Sequence, residues 1–242
     1  MAGVLASLSR LRDDALDLFY PPACLICRAS SGPRPLCPTC ESHLGRLPAP
    51  VCPRCRYFIE APQTACPLGH SEHPGLLWAP GLFDDYYKAL IHAFKFHERT
   101  DCGRLLAGRL GDMLAADSRM DEVEWITSVP LHRTRRRERG FNQSESVARW
   151  LAQRLDRPLR IDILRRCRPT ASQTRLDRAA RRDNVEAAFE STTDLTGDGT
   201  VLLVDDVLTT GATMQSCAGA LLSAGAGRVW GAVMALAEFG AD

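Results

Sequence analysis

The stretch Val201-Leu-Leu-Val-Asp205-Asp206-Val-Leu208-Thr209-Thr210-Gly211-Ala212-Thr213 decides the fold class. Its four leading apolar residues predict a strand, Val201–Val204, buried on both faces as in a parallel sheet. Two adjacent carboxylates sit at the C-terminal end of that strand, the edge at which open α/β sheets take their ligands. A turn of small residues then opens a helix predicted over Thr213–Ala224 and ended by Gly225. Backbone N–H groups of such a turn, backed by a helix N-terminus, bind a phosphate. Gly211 permits close backbone approach or a positive φ, and the hydroxyls of Thr209, Thr210 and Thr213 add donors. A ribose 5-phosphate satisfies both halves, with hydroxyls on Asp205 and Asp206 and phosphate in the turn. The acid pair also suits Mg²⁺, which prefers carboxylate and phosphate oxygens. An acidic strand end before an ordinary capped helix is the plainer alternative, but it leaves the repulsion between the two acids without a compensating partner. The chain has no Walker-type loop ending in Gly-Lys-Ser/Thr and no G-x-G-x-x-G fingerprint, so neither a Walker ATPase nor a dinucleotide site is expected.

Outward from this segment, helices are predicted over 84–97, 101–116 and Gln143–Leu155, and strands over Trp125–Pro130, Leu159–Leu164 and Arg228–Leu236. Leu176–Arg182 reads as irregular or briefly helical. Strands alternating with helices predict an α/β fold with an open parallel sheet.

The N-terminal part is different. Seven of the 10 cysteines fall between Cys24 and Cys66, and Pro recurs at 21, 22, 33, 35, 38, 48, 50, 53, 62, 67, 74 and 80. That proline density forbids long helices and wide sheets, so a cross-link must replace a core. Cys24-Leu-Ile-Cys27 and Cys37-Pro-Thr-Cys40 are two C-x-x-C pairs at zinc-site separation. Cys37-Pro-Thr-Cys40 also looks like a helix start, whose dipole favours thiolates. Cys52-Pro-Arg-Cys55 finds partners in Cys66 and His70, with His73 as an alternative ligand; a Cys₃His set is chemically sound. A metal-free second half is the other possibility. Four protein ligands leave no open position for water, so the expected role is structural. Three segments follow: an amphipathic lead helix over 1–19, a zinc-binding module over 20–80, and an α/β domain over 81–242.

The 242 residues are 45% hydrophobic and 24% charged, as in a soluble globular protein. No window reaches ~18 apolar residues, so no transmembrane helix is expected. The lead segment interleaves Leu5, Leu8, Leu11 and Leu18 with charges rather than forming a signal-peptide core, which predicts a cytoplasmic protein with reduced cysteines. The net charge of +1 hides an asymmetry. Between Thr127 and Arg182 there are 16 arginines and five acids, an excess of +11, and the remainder sums to −10. Lys88 and Lys95 are the only lysines. The basic stretch matches a polyanion, either pyrophosphate or a nucleic-acid backbone, although a solvated arginine surface accounts for many of its members.

The segment Val201–Thr213 closely resembles the phosphoribosyl-pyrophosphate (PRPP) signature of type I phosphoribosyltransferases. By that resemblance Asp205 and Asp206 hold ribose hydroxyls, Leu208, Thr209, Thr210, Gly211, Ala212 and Thr213 hold the 5-phosphate, and Mg²⁺ comes with PRPP. Pro130, Leu131 and His132 occupy the place of that family's pyrophosphate loop, and Arg139, Arg168 and Arg182 are the basic residues assigned to ligand. The cysteine knuckles, Phe94-Lys95-Phe96, Val129-Pro-Leu, Arg139-Gly-Phe-Asn-Gln143, Thr170-x-x-Gln173, Arg182-x-Asn184-Val and Ala188-Phe189 narrow the resemblance to the ComF family. It implies a phosphoribosyltransferase-like domain behind an N-terminal double zinc ribbon, and a link to natural competence, in which DNA enters the cytoplasm as a single strand. The chain departs from the family pattern at Cys66 and His70, where a second C-x-x-C is usual. Three functions are compatible: PRPP-dependent transfer to an unnamed acceptor, non-catalytic binding of single-stranded DNA with PRPP as a regulatory or vestigial ligand, and PRPP sensing. In the second, Phe94, Phe96, Phe141 and Trp150 are candidate stacking partners, or core residues given their helical setting, and competence-machinery proteins are further candidate partners.

Overall fold

A computed structural model describes residues 23–71, 73–97, 99–131, 140–166 and 188–237. The lead helix predicted over 1–19 lies outside them. Six strands and five α-helices are described: α1 (Pro38–Ser42), β1 (Leu77–Trp78), α2 (Asp85–Phe96), α3 (Thr100–Ala115), β2 (Val123–Ser128), α4 (Gln143–Leu155), β3 (Leu164–Arg166), β4 (Phe189–Ser191), β5 (Thr200–Leu208), α5 (Ala212–Ser223) and β6 (Arg228–Leu236). The main sheet has the order β1-β6-β5-β2 and every pair in it is parallel. β3 and β4 form a separate antiparallel pair.

β5 lies inside the sheet and is apolar on both faces. Leu202 and Val204 pack with α2, α3 and α4, and Val201 and Leu203 pack with α5. The helices present one apolar stripe each. In α2, Tyr87, Leu90, Ile91 and Phe94 are buried, and Asp84 caps the first turn by accepting the Tyr87 N–H at 3.0 Å. In α4, the Asn142 side chain accepts the Ser144 N–H at 3.2 Å and donates to the Val129 carbonyl at 3.1 Å. One residue therefore caps the helix and ties it to the end of β2.

Several elements differ from the sequence expectation for physical reasons. β5 does not stop at Val204; its ladder to β6 continues through Asp205 and Val207 to Leu208, because the partner strand runs on beside it. β2 ends at Ser128, two residues short of Pro130, which has no N–H to donate to a ladder. The strand expected over Leu159–Leu164 reduces to one bridge, Leu159 with Ile126, and only Leu164 enters a strand. β1 has no counterpart in the expectation, since Leu77 and Trp78 close the proline-rich segment and show no periodicity. Their place at the sheet edge comes from pairing with Gly231 and Ala232. A Cβ on Gly231 would meet Leu77 and Met214 at 2.8 Å, so a side chain there would push the two elements apart.

The Cys-rich segment docks on this edge. Val51 exchanges both backbone hydrogen bonds with Leu77, at 2.9 and 3.0 Å. Arg119, buried just before β2, holds the far side. It forks onto the Asp117 carboxylate at 2.8 and 2.6 Å and donates to the carbonyls of Ile59 and Gln63 at 3.0 and 2.6 Å. Trp78 completes the group, donating to Asp117 at 3.0 Å beneath the guanidinium. Removing one partner of a buried pair strands the other. Arg119→Ala is therefore expected to lower the unfolding free energy by about 3 kcal/mol in urea denaturation; a loss under about 1 kcal/mol would show that this network does not fasten the two parts.

Candidate functional site

Two sites emerge from the sequence candidates. The first is metal-ligating. Cys24, Cys27, Cys37 and Cys40 bring their sulfurs within 4.8 Å of one another, and Cys52, Cys55, Cys66 and His70 do the same with three sulfurs and a ring nitrogen. His73 is in neither group. Tetrahedral zinc with Zn–S of about 2.3 Å requires ligand edges of about 3.8 Å between sulfurs and about 3.5 Å from sulfur to nitrogen. Cys27 to Cys37 is 3.6 Å, Cys55 to Cys66 is 3.7 Å, and His70 Nδ1 is 3.5 Å from Cys66 and 3.8 Å from Cys52. These are metal-site spacings, far from the ~2.05 Å of a disulfide, and the cysteines are unbonded. α1 begins inside the first group, as the Cys37-Pro-Thr-Cys40 pattern predicts. The thiols do not shift together: burial opposes charge on Cys24, but backbone N–H groups of Cys27, Cys37 and Ile26 bring it down to about 6, whereas burial and the neighbouring thiols push Cys40 up to about 12, and burial pushes Cys52 up to about 11. Burial likewise opposes charge on Cys66, and the N–H groups of Leu68 and His70 bring it down to about 7. Both donor sets fit zinc.

The second site is at the C-terminal end of β5. Asp205 accepts the Ser144 hydroxyl at 2.8 Å and the Asp206 N–H at 2.8 Å. Asp206 pairs with Lys95 at 2.6 Å, both side chains being mostly buried. Lys95 comes from the last turn of α2 and Ser144 from the first turn of α4, so two helices converge on the acid pair. Burial first, and the Asp206 charge second, push the Asp205 carboxyl up to about 7. The turn follows directly. Gly211 has φ 81° and precedes α5 as its N-cap, with no side-chain cap bond. Thr209 and Thr210 are exposed, Gly211, Ala212 and Thr213 half-exposed, and Met214 buried. The Leu208 side chain is buried against Gly211, so only its backbone belongs to the turn, and its carbonyl accepts the Ala237 N–H at 2.9 Å.

Pro130 and Leu131 follow β2 at the same edge, one strand over from β5, and are half-exposed. His132, Arg139, Arg168 and Arg182 lie outside the described residues. Of the candidate stacking aromatics, Phe94 is fully buried and packs on Phe141 and Trp150 at 5.5 and 5.9 Å between ring centroids. Phe94 is core, and Phe141 and Trp150 are half-buried against it. Phe96 is exposed and lies against His92. A cavity of about 670 Å³ lies between the Cys-rich segment and α3, and none of its lining residues comes from the acid pair or the turn.

Sequence reasoning passed over two members of this site. Lys95 stood out only as one of two lysines in a chain with 28 arginines and within a resemblance motif, with nothing to tie it to the acid pair. Ser144 has no signal beyond its place beside the Asn142 cap.

The fold and these two sites define a phosphoribosyltransferase-type α/β domain carrying an N-terminal double zinc ribbon. The model of the double zinc ribbon domain matches residues 15–68, and that of the phosphoribosyl transferase domain matches residues 142–237. DNA utilization protein YhgH of Escherichia coli is 31% identical over 226 residues, covering 88% of this chain and 96% of that protein. Competence protein F of Haemophilus influenzae is 28% identical, covering 88% and 97%, and competence protein ComFC of Bacillus subtilis is 28% identical, covering 78% and 79%. The chain belongs to the ComF family. Among the described residues no helix is long and apolar enough to cross a membrane.

Two outcomes are expected. Elemental analysis of protein purified without chelators should find about two zinc ions per chain, one for each four-ligand set; a metal-free product would exclude both sites. A carboxyl with a raised folded-state pKa contributes stability below its unfolded value, near 4, and loses it as pH rises through about 7. Asp205→Asn keeps an oxygen for both donors and removes the charge. Its melting temperature should therefore match wild type near pH 4 and exceed it by several degrees at pH 8; a pH-independent difference would contradict the burial assigned to Asp205.

Proposed function

We propose that the chain binds PRPP with Mg²⁺ at the C-terminal edge of β5, transfers its ribose 5-phosphate, and serves the uptake or use of DNA. The observation that carries this reading is the acid pair followed by a helix start whose N-cap, Gly211, has no side chain to bond the N–H groups. Asp205 and Asp206 offer oxygens for the two vicinal ribose hydroxyls. Gly211 at positive φ lets the backbone fold close to a phosphate, and the N–H groups opening α5 point out of the helix with the positive end of its dipole. Thr209, Thr210 and Thr213 supply hydroxyls to the same anion.

The surrounding residues prepare this site. Lys95 neutralises Asp206, so the carboxylates can stay adjacent before ligand arrives. Ser144 fixes one oxygen of Asp205 and leaves the other for a hydroxyl. Mg²⁺ with PRPP supplies the countercharge for diphosphate oxygens. This reading assigns Pro130, Leu131 and His132, which follow β2 in sequence, and the arginines at 139, 168 and 182 to the leaving pyrophosphate, whose electrostatic stabilisation would carry most of the rate. No described side chain identifies the acceptor. The DNA role draws on relatives named for DNA utilization and competence.

The excess of +11 between Thr127 and Arg182 supports a second reading, in which single-stranded DNA is held by charge and PRPP is a regulatory or vestigial ligand. Its affinity would fall steeply with salt.

PRPP with Mg²⁺ should raise the melting temperature of the wild-type chain, and the double substitution Asp205→Asn with Asp206→Asn should abolish that shift while leaving the zinc content unchanged. An unchanged shift in the double variant would place the ligand elsewhere. Pyrophosphate release from PRPP, screened against candidate acceptors, then separates transfer from binding alone.

A further inference from the structure

The two cysteine knuckles have the same backbone. The residue after the second cysteine is left-handed in each, Arg28 at φ 64° and Arg56 at φ 60°. Each donates its N–H to the first cysteine's carbonyl, Arg28 to Cys24 at 3.0 Å and Arg56 to Cys52 at 2.9 Å. Each first cysteine donates back across the turn, Cys24 to Ala29 at 2.7 Å and Cys52 to Tyr57 at 2.9 Å. Glycine takes this conformation without steric cost, yet both knuckles carry arginine.

The side chains then part company. Arg28 is exposed. Arg56 is half-buried, with its Nε and Nη1 shielded from solvent, and its Nη2 donates to the Thr209 carbonyl at 3.3 Å, 153 residues along the chain. Thr209 follows Leu208 in the phosphate turn. The Thr209 carbonyl and the Thr210 N–H share one planar trans peptide, so a donor that fixes the carbonyl also fixes that N–H in the opposite direction. The guanidinium is positively charged near neutral pH, next to a turn built for an anion.

We propose that the second zinc ribbon is a working part of the phosphate site: metal held by Cys52, Cys55, Cys66 and His70 sets the knuckle that aims Arg56, and Arg56 orients the Thr209–Thr210 peptide and adds its charge beside the turn. The proposal rests on reading Thr209–Thr213 as the cradle of the ribose phosphate. It makes Arg56 a positioning residue and couples zinc at one site to phosphate affinity at another. It also assigns the departure at Cys66 and His70 a living metal site rather than a vestige. Arg28, with the same turn and no such contact, is the internal control.

The test is calorimetric titration of PRPP with Mg²⁺ into the full-length, zinc-loaded chain, with zinc content measured in parallel. Arg56→Ala should retain both zinc ions and bind PRPP about tenfold more weakly, the scale of one charged hydrogen bond. Arg56→Lys should recover part of that loss, and Arg28→Ala should bind as wild type does. Cys66→Ser should lose one zinc and show the same weakening, and adding Arg56→Ala to it should weaken binding no further. Wild-type affinity in Arg56→Ala, or losses that multiply in the double variant, would overturn the proposal. If the wild-type chain itself fails to bind PRPP, the reading of the cradle falls separately. The coupling is then decided by hydrogen exchange over residues 207–213: faster exchange in both Arg56→Ala and Cys66→Ser upholds it, and unchanged exchange refutes it.

Discussion

Two like charges on neighbouring residues at the end of one strand must be held together, and the sheet edge is arranged around that constraint. Asp205 and Asp206 repel each other in a partly desolvated place, where Coulomb energies exceed those in water. The chain meets this with two contacts from outside β5 and with a raised carboxyl pKa on Asp205. Lys95 at the end of α2 neutralises Asp206. Ser144 at the start of α4 donates to Asp205. Burial and the neighbouring charge push the Asp205 carboxyl up to about 7, so the pair carries less than its full charge near neutrality. The positions of α2 and α4 on one face of the sheet are thus tied to the acids, as well as to the apolar stripes that bury Leu90, Phe94, Val147 and Leu151.

The zinc ribbons obey a different constraint. Proline-rich chain cannot form wide sheets or long helices, so each ribbon is a short turn system closed by four ligands. Burial of Leu36 and Ile59 adds little core of its own, and the segment gains the rest by docking. Val51 extends the sheet past β1, Arg119 ties Ile59 and Gln63 to the 3-10 turn before β2, and Arg109 of α3 donates to the carbonyls of Leu44 and Gly45 at 2.9 and 3.0 Å. A segment held by β1, by α3 and by the turn before β2 forms a wall of the domain, and that is what allows a knuckle arginine to reach the phosphate turn.

Strong periodicity and strong chemistry were legible in the sequence. α4 over Gln143–Leu155 and β6 over Arg228–Leu236 occupy the expected spans, because a cap and an apolar stripe define the first and continuous burial defines the second. Three cysteine pairs were legible because tight C-x-x-C turns are local, while Cys66 and His70 lack that pattern and left His73 as an alternative. What was illegible depended on distant partners. Leu77 and Trp78 are a strand only because β6 runs beside them. Leu159 keeps a single bridge because the chain after it leaves β2 for β3. Lys95 belongs to the acid pair only through the packing of α2 against the sheet, and no local pattern announces that. Arg56 reaches Thr209 across 153 residues, a contact no spacing in the chain encodes.

A crystal structure of the zinc-loaded chain grown with PRPP and Mg²⁺ tests the central claim most directly. The account predicts the 5-phosphate on the backbone N–H groups of the Thr209–Thr213 turn, with the two ribose hydroxyls on the Asp205 and Asp206 carboxylates. A ligand seated away from the end of β5, or a turn left empty at saturating PRPP, would contradict it.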